Sequence, residues 1–261
     1  MNSLNLYLKM MSMTMKSQME YKLSFILMSF GHFLITFIEF IGMYALFLRF
    51  DQINGWTIYE VACFYGLVNT SFAIAESIGR GFDVFHKHVR KGTFDRFLLR
   101  PRNITMQIIS SEIQLMRIGR MLQGLLVLTW GLKHLEKTLY VFDYLIIIYA
   151  MICAVFFFIG LMVFQATLSF WSIESLEIMN AFTYGGVQTA QYPMDIYKDW
   201  FQKIFIFVIP IGSVTYFPLT AVLKESSVFL GLTMPLFGLG FFVAALLAFK
   251  VGTKYYCSTG S

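Results

Sequence analysis

Within one apolar stretch, His32, Thr36 and Glu39 are the residues whose types could do chemistry. They stand at i, i+4 and i+7, so a helix would carry all three on one face. An imidazole, a hydroxyl and a carboxylate in that order could relay a proton, or could line a polar wall for a cationic molecule. A carboxylate in hydrocarbon costs a few kcal/mol unless it faces protein or water. The competing expectation is structural: an ion pair with another helix, or a protonated, hydrogen-bonded Glu39. Other candidates offer less. His86 and His88 alternate, which on a helix turns the two imidazoles about 200° apart, too far round to share a metal. A solvated polar face is the expectation there. Cys63, Cys153 and Cys257 lack CxxC spacing and read as small buried hydrophobes. No GxxxxGK[ST] loop and no GxGxxG turn occurs, so a nucleotide finds no backbone cradle here. No Ser/His/Asp or Cys/His set falls on one side of the apolar spans. Neither catalysis nor a cofactor or metal is expected of this chain.

The elements that position these residues must lie in a membrane. Mean hydropathy of +0.66, 57% hydrophobic and only 13% charged residues take the chain out of the soluble globular range. Its 261 residues leave room for about six spans of roughly 20 residues each. The net charge of +5 could suggest nucleic acid, but no separate basic domain exists to bind it. The first twenty residues lack an apolar core and a small-residue cleavage site, so no cleavable signal peptide is expected.

Leu4, Leu8, Met11, Met15 and Met19 recur at helical spacing, with Asn5, Lys9, Ser12, Lys16 and Glu20 opposite. Residues 1–22 therefore read as an amphipathic helix lying in the headgroup plane. A transmembrane region, 23–251, follows, and 252–261 form a tail. Span one runs from about Leu23 to Leu48 and span two from about Tyr59 to Ile78. Glu39 would then lie about 24 Å from the start of its span and about 13 Å from its end. Span three covers about Ile104 to Leu132, with a polar first half containing Glu112, Gln114, Arg117 and Arg120. Arg117 and Arg120 either snorkel into headgroups or brace the preceding loop against the spans. Span four, about Asp143 to Phe170, is the greasiest. The stretch Trp171 to Gln191 carries Glu174, Glu177, Asn180, Thr183, Gln188 and Gln191, too polar for a lipid face. An apolar segment from Phe201 to Val222 contains Pro210 and Pro218, and a last span runs from about Leu230 to Val251.

Between spans two and three lies the one strongly basic segment. Seven of the chain's 20 Lys and Arg fall between positions 80 and 102. Positive charge in short loops marks the cytoplasmic side. Phe82, Phe85 and Val89, then Phe94, Phe97 and Leu98 beyond Gly92, are spaced as on two short amphipathic helices joined at Gly92 and stopped by Pro101. Such an elbow, residues 81–101, is what a membrane protein would offer to a soluble partner. The amino terminus and the carboxyl terminus, with Lys250 and Lys254, are expected on that same face. Two topologies satisfy this parity. Either Trp171 to Gln191 crosses and a hairpin of about 198–223 dips in and returns, or Phe201 to Val222 is the fifth span. Two prolines about two turns apart suit a buried re-entrant hairpin better than a lipid-facing helix.

The elbow VRKGTFDRFLLRP (Val89 to Pro101), RIGR (Arg117 to Arg120), FTYGGVQTAQYPMDIY (Phe182 to Tyr197), VIPIGSVTYFP (Val208 to Pro218) and YYCSTGS (Tyr255 to Ser261) occur in an order that resembles the ABC type-2 permeases, the membrane subunits of bacterial ABC exporters. The likeness is nearest to the branch grouped with daunorubicin and multidrug export permeases, and it covers essentially the whole chain. RIGR departs from the pattern by sitting deep in an amphipathic helix start. The resemblance implies an all-α protein of the bacterial inner membrane, with six transmembrane helices, both termini cytoplasmic and an outer re-entrant hairpin. It implies a homo- or heterodimer of permeases over two cytoplasmic ATPase subunits, which would carry the ATP and Mg. The elbow becomes the coupling helix, with Phe82, Phe85, His86, Arg90, Lys91, Phe94, Asp95, Arg96 and Arg100 as coupling residues. His32, Thr36, Glu39, Asn69, Asn180, Thr183 and Gln188 become the translocation pathway, and Trp171 to Gln191 the dimer interface. The function implied is outward transport of a hydrophobic or cationic drug-like, peptide or lipid-like substrate. The competing function is a proton-coupled secondary transporter using Glu39 and His32, which an inverted internal repeat would favour; none is visible. A membrane enzyme is disfavoured by the scatter of its candidate residues.

Overall fold

The apolar stretches form long helices in a computed structural model that describes residues 3–172 and 175–256, and no β-strand occurs among the described residues. Glu174, Cys257 and the rest of the terminal tail lie outside them. Four helices are long and apolar enough to cross a membrane, or five if one bent pair is a single span. They are α2 (Lys22–Arg49), α3 (Ile58–Asp83) with its continuation to Arg90, α8 (Val141–Leu168), and Val228–Tyr255, which contains α12 (Val228–Thr233) and α13 (Pro235–Gly252).

At the centre stand α3 and α8. α3 is buried along nearly all of its length and starts at a capping box in which Thr57 and Glu60 satisfy each other's backbone amides. It packs along α7 (Ile118–Lys133) and α8, and α13 covers the other side of α8. Lipid tails are as apolar as leucine, so close backbone approach rather than hydrophobic burial must hold such helices together. Gly119 shows this: a Cβ there would run into the carbonyl of Ser29 on α2. α2 is peripheral, with only 6% of its most apolar stretch buried.

Span three is not one helix. α6 (Ile104–Ser111) ends at Glu112, residues 112–114 are irregular, a 3-10 turn covers Leu115–Arg117, and α7 then begins. The backbone groups freed by the break are met from elsewhere. The Leu115 amide donates to Gln18 Oε1 at 3.0 Å, Gln18 Nε2 donates to the Ile113 carbonyl, and the Gln114 amide reaches the Ser77 carbonyl at 3.1 Å. Gln18 belongs to α1 (Ser3–Glu20), which lies across α6. The side of α1 turned to the protein includes Tyr7 and Gln18, while Leu8 and Met19 of the apolar stripe point outward.

Two ends of the bundle are distinct. At one, the elbow: α4 (Phe85–Arg90), a turn in which Gly92 adopts φ +63°, and α5 (Asp95–Leu98). At the other, a clasp joins four segments. Trp56 Nε1 donates to both carboxylate oxygens of Asp195 at 2.9 Å, and Asn54 Nδ2 to the Asp195 carbonyl. Lys224 Nζ pairs with Glu60 at 2.7 Å, donates to the Gly55 carbonyl and sits 4.7 Å over the Trp56 ring. Lys137, from the loop before α8, donates to the Val222 carbonyl. Between Asp195 and Lys224 run α10 (Asp199–Lys203), a π-helical turn (Ile204–Val208) and α11 (Ile211–Leu223), with a 104° bend at Ile209 and Pro210. Both ends of this bent pair are thus tied to the end of the bundle opposite the elbow. Pro218 is accommodated inside α11.

A candidate polar groove and a basic elbow

Three of the residues singled out on α2 do line one site. His32, Thr36 and Glu39 border a groove of about 420 Å³, closed on its other sides by Arg117 and Arg120 of the span-three segment and by Tyr184 and Gln188 of α9 (Ser175–Ala190). The i, i+4, i+7 spacing puts the three on one face, and α7 and α9 bring the rest. Thr36 is itself buried, its hydroxyl donating to the His32 carbonyl at 3.0 Å and its own carbonyl accepting from Tyr65 Oη at 2.6 Å. Glu39 is exposed at the rim and makes no ion pair within the described residues. His32 Nδ1 lies 3.4 Å from Arg117 Nη1.

The inner wall rests on a residue that the sequence did not single out. Glu76, on α3, is 1% exposed and pairs with Arg117 at 3.1 Å and Arg120 at 3.6 Å. Arg120 also donates from Nε to Asn69 Oδ1 at 2.9 Å and stacks 4.8 Å over the Phe72 ring. The two arginines therefore turn inward onto α3 rather than outward to headgroups, where they pair a buried carboxylate that would be strongly destabilising if left alone. The signal was present: Asn69 and Glu76 are seven apart and so share a helix face, as His32 and Glu39 do.

The remaining pathway candidates do not line the groove. Asn69 is fully buried and spends both ends of its amide on Arg120 and the Tyr65 carbonyl. Thr183 is 1% exposed. Asn180 faces out and accepts from Gln165 at 3.3 Å, which in turn reaches Asp83 at the base of the elbow.

The elbow is two-faced. Phe82, Phe85 and Phe94 are fully buried; Phe85 meets Phe94, Phe170 and Phe249 with ring centroids 4.9–5.4 Å apart. Such edge-to-face contacts each add about 0.5–1.5 kcal/mol beyond burial. These three rings fix the elbow to the bundle. Arg90, Lys91, Arg96 and Arg100 are exposed on the outside, while His86 and Asp95 are half-buried at the edge. Glu112 lies in the cleft beside Lys87, Lys91 and Arg96, away from Arg117 and Arg120. No group of three or more His, Cys, Asp or Glu that could hold a metal occurs among the described residues.

Residues 33–260 match the family described as ABC-2 family transporter protein. No curated protein and no solved structure matches the chain. The match spans the groove apart from His32, and the elbow, the clasp and the bent hairpin, and it agrees with the resemblance to ABC type-2 permeases carried by the sequence motifs. This all-helical membrane protein belongs to the ABC-2 transporter family, and within an ABC transporter its part is that of a permease.

Proposed function

We propose that this chain is the membrane-spanning subunit of an ATP-driven exporter, working as a homo- or heterodimer with ATP and Mg held on cytoplasmic ATPase subunits. The observation that carries this is the two-faced elbow. Its aromatic side is locked into the bundle, so a push on its cationic side is passed to α3 rather than absorbed by a loose loop. α3 runs without a break from the elbow through Glu76 to the clasp. Asp83, at its last turn, is linked through Gln165 to Asn180 of α9.

In this proposal the elbow end is cytoplasmic, on the strength of its positive charge. The chain would cross six times: α2, α3, α6 with α7, α8, α9, and α12 with α13. The bent pair 199–223 would be re-entrant, since both its ends are tied to the outer end and irregular backbone is tolerated at membrane depth only inside protein. Both termini are then cytoplasmic, in a bacterial inner membrane. α2 and α9 leave Glu39, Asn180 and Gln188 exposed where hydrocarbon would otherwise meet them, which favours a second permease on that face. The groove would be part of the outward route, with Glu39 offsetting the charge of a cationic amphiphile.

The test is reconstitution with the partner ATPase, with Arg96→Glu as the probe. The variant should insert normally yet lose ATPase copurification or ATP-driven transport. Transport that proceeds without ATP and follows a proton gradient, abolished by Glu39→Gln, would replace this function with proton-coupled transport.

A further inference from the structure

We propose that the cleft between the start of α6 and the last turns of α13 binds an anionic phospholipid from the leaflet at the elbow end. The cleft encloses about 580 Å³. Its polar mouth is formed by Arg102, Asn103, Lys250 and Thr253, and its apolar wall continues along α13 through Leu246 and Leu247. Lys250 is exposed and forms no ion pair among the described residues. A neighbouring hollow of about 710 Å³ shares Arg102 and Asn103 and adds Arg100 and Tyr7.

Charge sets these two hollows apart from the other clefts. The groove on α2 contains Glu39, the cleft beneath α4 contains Glu112, and the one at the clasp contains Glu60 and Glu136. Among the described residues no carboxylate lines either hollow at the start of α6, where Arg100, Arg102 and Lys250 stand. A cationic mouth, with the exposed Lys250 at the headgroup end of an apolar wall, selects an anionic head with a chain attached. Basic pockets between membrane helices hold acidic lipid headgroups by this chemistry, at about 1 kcal/mol per cation. A free phosphate would use the mouth and leave the wall unused. Val243 and Leu247 are more than half exposed along that wall, which an acyl chain would cover.

The proposal rests on the membrane placement of the elbow end, not on ATP-driven export, and its test reads lipid rather than transport. Full-length protein would be placed in bilayer discs of phosphatidylethanolamine, alone or with phosphatidylglycerol, and the lipid retained on release measured by native mass spectrometry. Wild type should retain phosphatidylglycerol in preference. Removing a cation should weaken that preference about fivefold, and Arg102→Gln with Lys250→Gln roughly 25-fold. Lys250→Arg should behave as wild type. Leu247→Trp keeps every cation but fills the apolar wall, and it should also lose the lipid. Should the double variant fail to fold, Lys250→Gln and Leu247→Trp, both at exposed positions, decide the matter. Equal retention by wild type and these variants would overturn the proposal. So would thermal stabilisation by inorganic phosphate as large as that by phosphatidylglycerol, which would point to a free anion.

Discussion

Glu76→Gln removes the buried carboxylate shared by two half-buried guanidinium groups, and the structure sets the size of the effect. At the effective dielectric suited to protein sites, about 20, ion contacts of 3.1 and 3.6 Å represent roughly 5 kcal/mol of attraction each. Most of that is offset by the cost of burying the charges. What the variant exposes is the other side of the balance, two cations left without a counter-charge, and breaking a buried pair in this way costs about 3–5 kcal/mol. The lower end applies here, because Arg117 borders the 420 Å³ groove and can turn into it, whereas Arg120 remains held by Asn69 and Phe72. For a chain of this length about 3 kcal/mol corresponds to a fall in melting temperature of roughly 6–12 °C. Thermal unfolding of the purified protein, followed by intrinsic fluorescence, reads this directly. The double variant Glu76→Gln with Arg117→Gln removes one of the stranded cations, so it should be less damaged than the sum of the singles by about 1 kcal/mol or more. A Glu76→Gln protein that melts within about 2 °C of wild type, with a strictly additive double variant, would refute the reasoning: the cluster would then be solvated and of little structural weight.

Three other outcomes are expected. Phe85→Asp should abolish folded protein in the membrane, since it puts an unpaired carboxylate among three aromatic rings at a cost of several kcal/mol, and normal expression of this variant would mean the elbow is not anchored as described. Cysteines at Lys198 and Glu225, on either side of the bent pair, should both react with an impermeant maleimide added outside intact cells; labelling of one from each side of the membrane would make 199–223 an ordinary span. Glu39→Gln should lower export of cationic compounds without lowering the melting temperature by more than about 0.5 kcal/mol equivalent, because this carboxylate makes no ion pair in the described structure, and unchanged export would take it off the route.

The long helices were legible because hydropathy needs no partner: α2, α3, α8 and α13 fall within a few residues of the expected spans. The turn at Gly92 was legible for a similar reason, as a local conformation that glycine meets at little cost. The break in span three was not. Its backbone groups are satisfied by Gln18 and Ser77, far away in the chain, and nothing local says that a helix interrupted at Glu112 will find acceptors and donors there. The groove was half legible. The face formed by His32, Thr36 and Glu39 follows from spacing alone, but its opposite walls depend on which helices lie beside α2. Phe82, Phe85 and Phe94 were correctly grouped as one apolar face. Their partners Phe170 and Phe249 come from distant helices, and periodicity could not name those.

The pinned hairpin also bears on how this protein is made. Its two halves, 10 and 13 residues long, reach only about 15 and 20 Å as helices, short of the roughly 30 Å hydrocarbon core. Neither half alone is long enough to be released into lipid as a span during synthesis. The bend is hydrogen-bonded from within, as where Ser213 Oγ donates to the Ile206 carbonyl, and its flanks lie against α3, α8 and α9. α11 also packs on α13, which is synthesised after it. In the proposed re-entrant topology, residues 199–223 would wait at the membrane surface until the chain is nearly complete and then enter a bundle that already exists. Biogenesis would then be a two-step affair, insertion of spans followed by docking of a loop. Its sign would be protease protection of this segment that appears only after α13 has been synthesised; protection already present in chains truncated before Val228 would contradict that order.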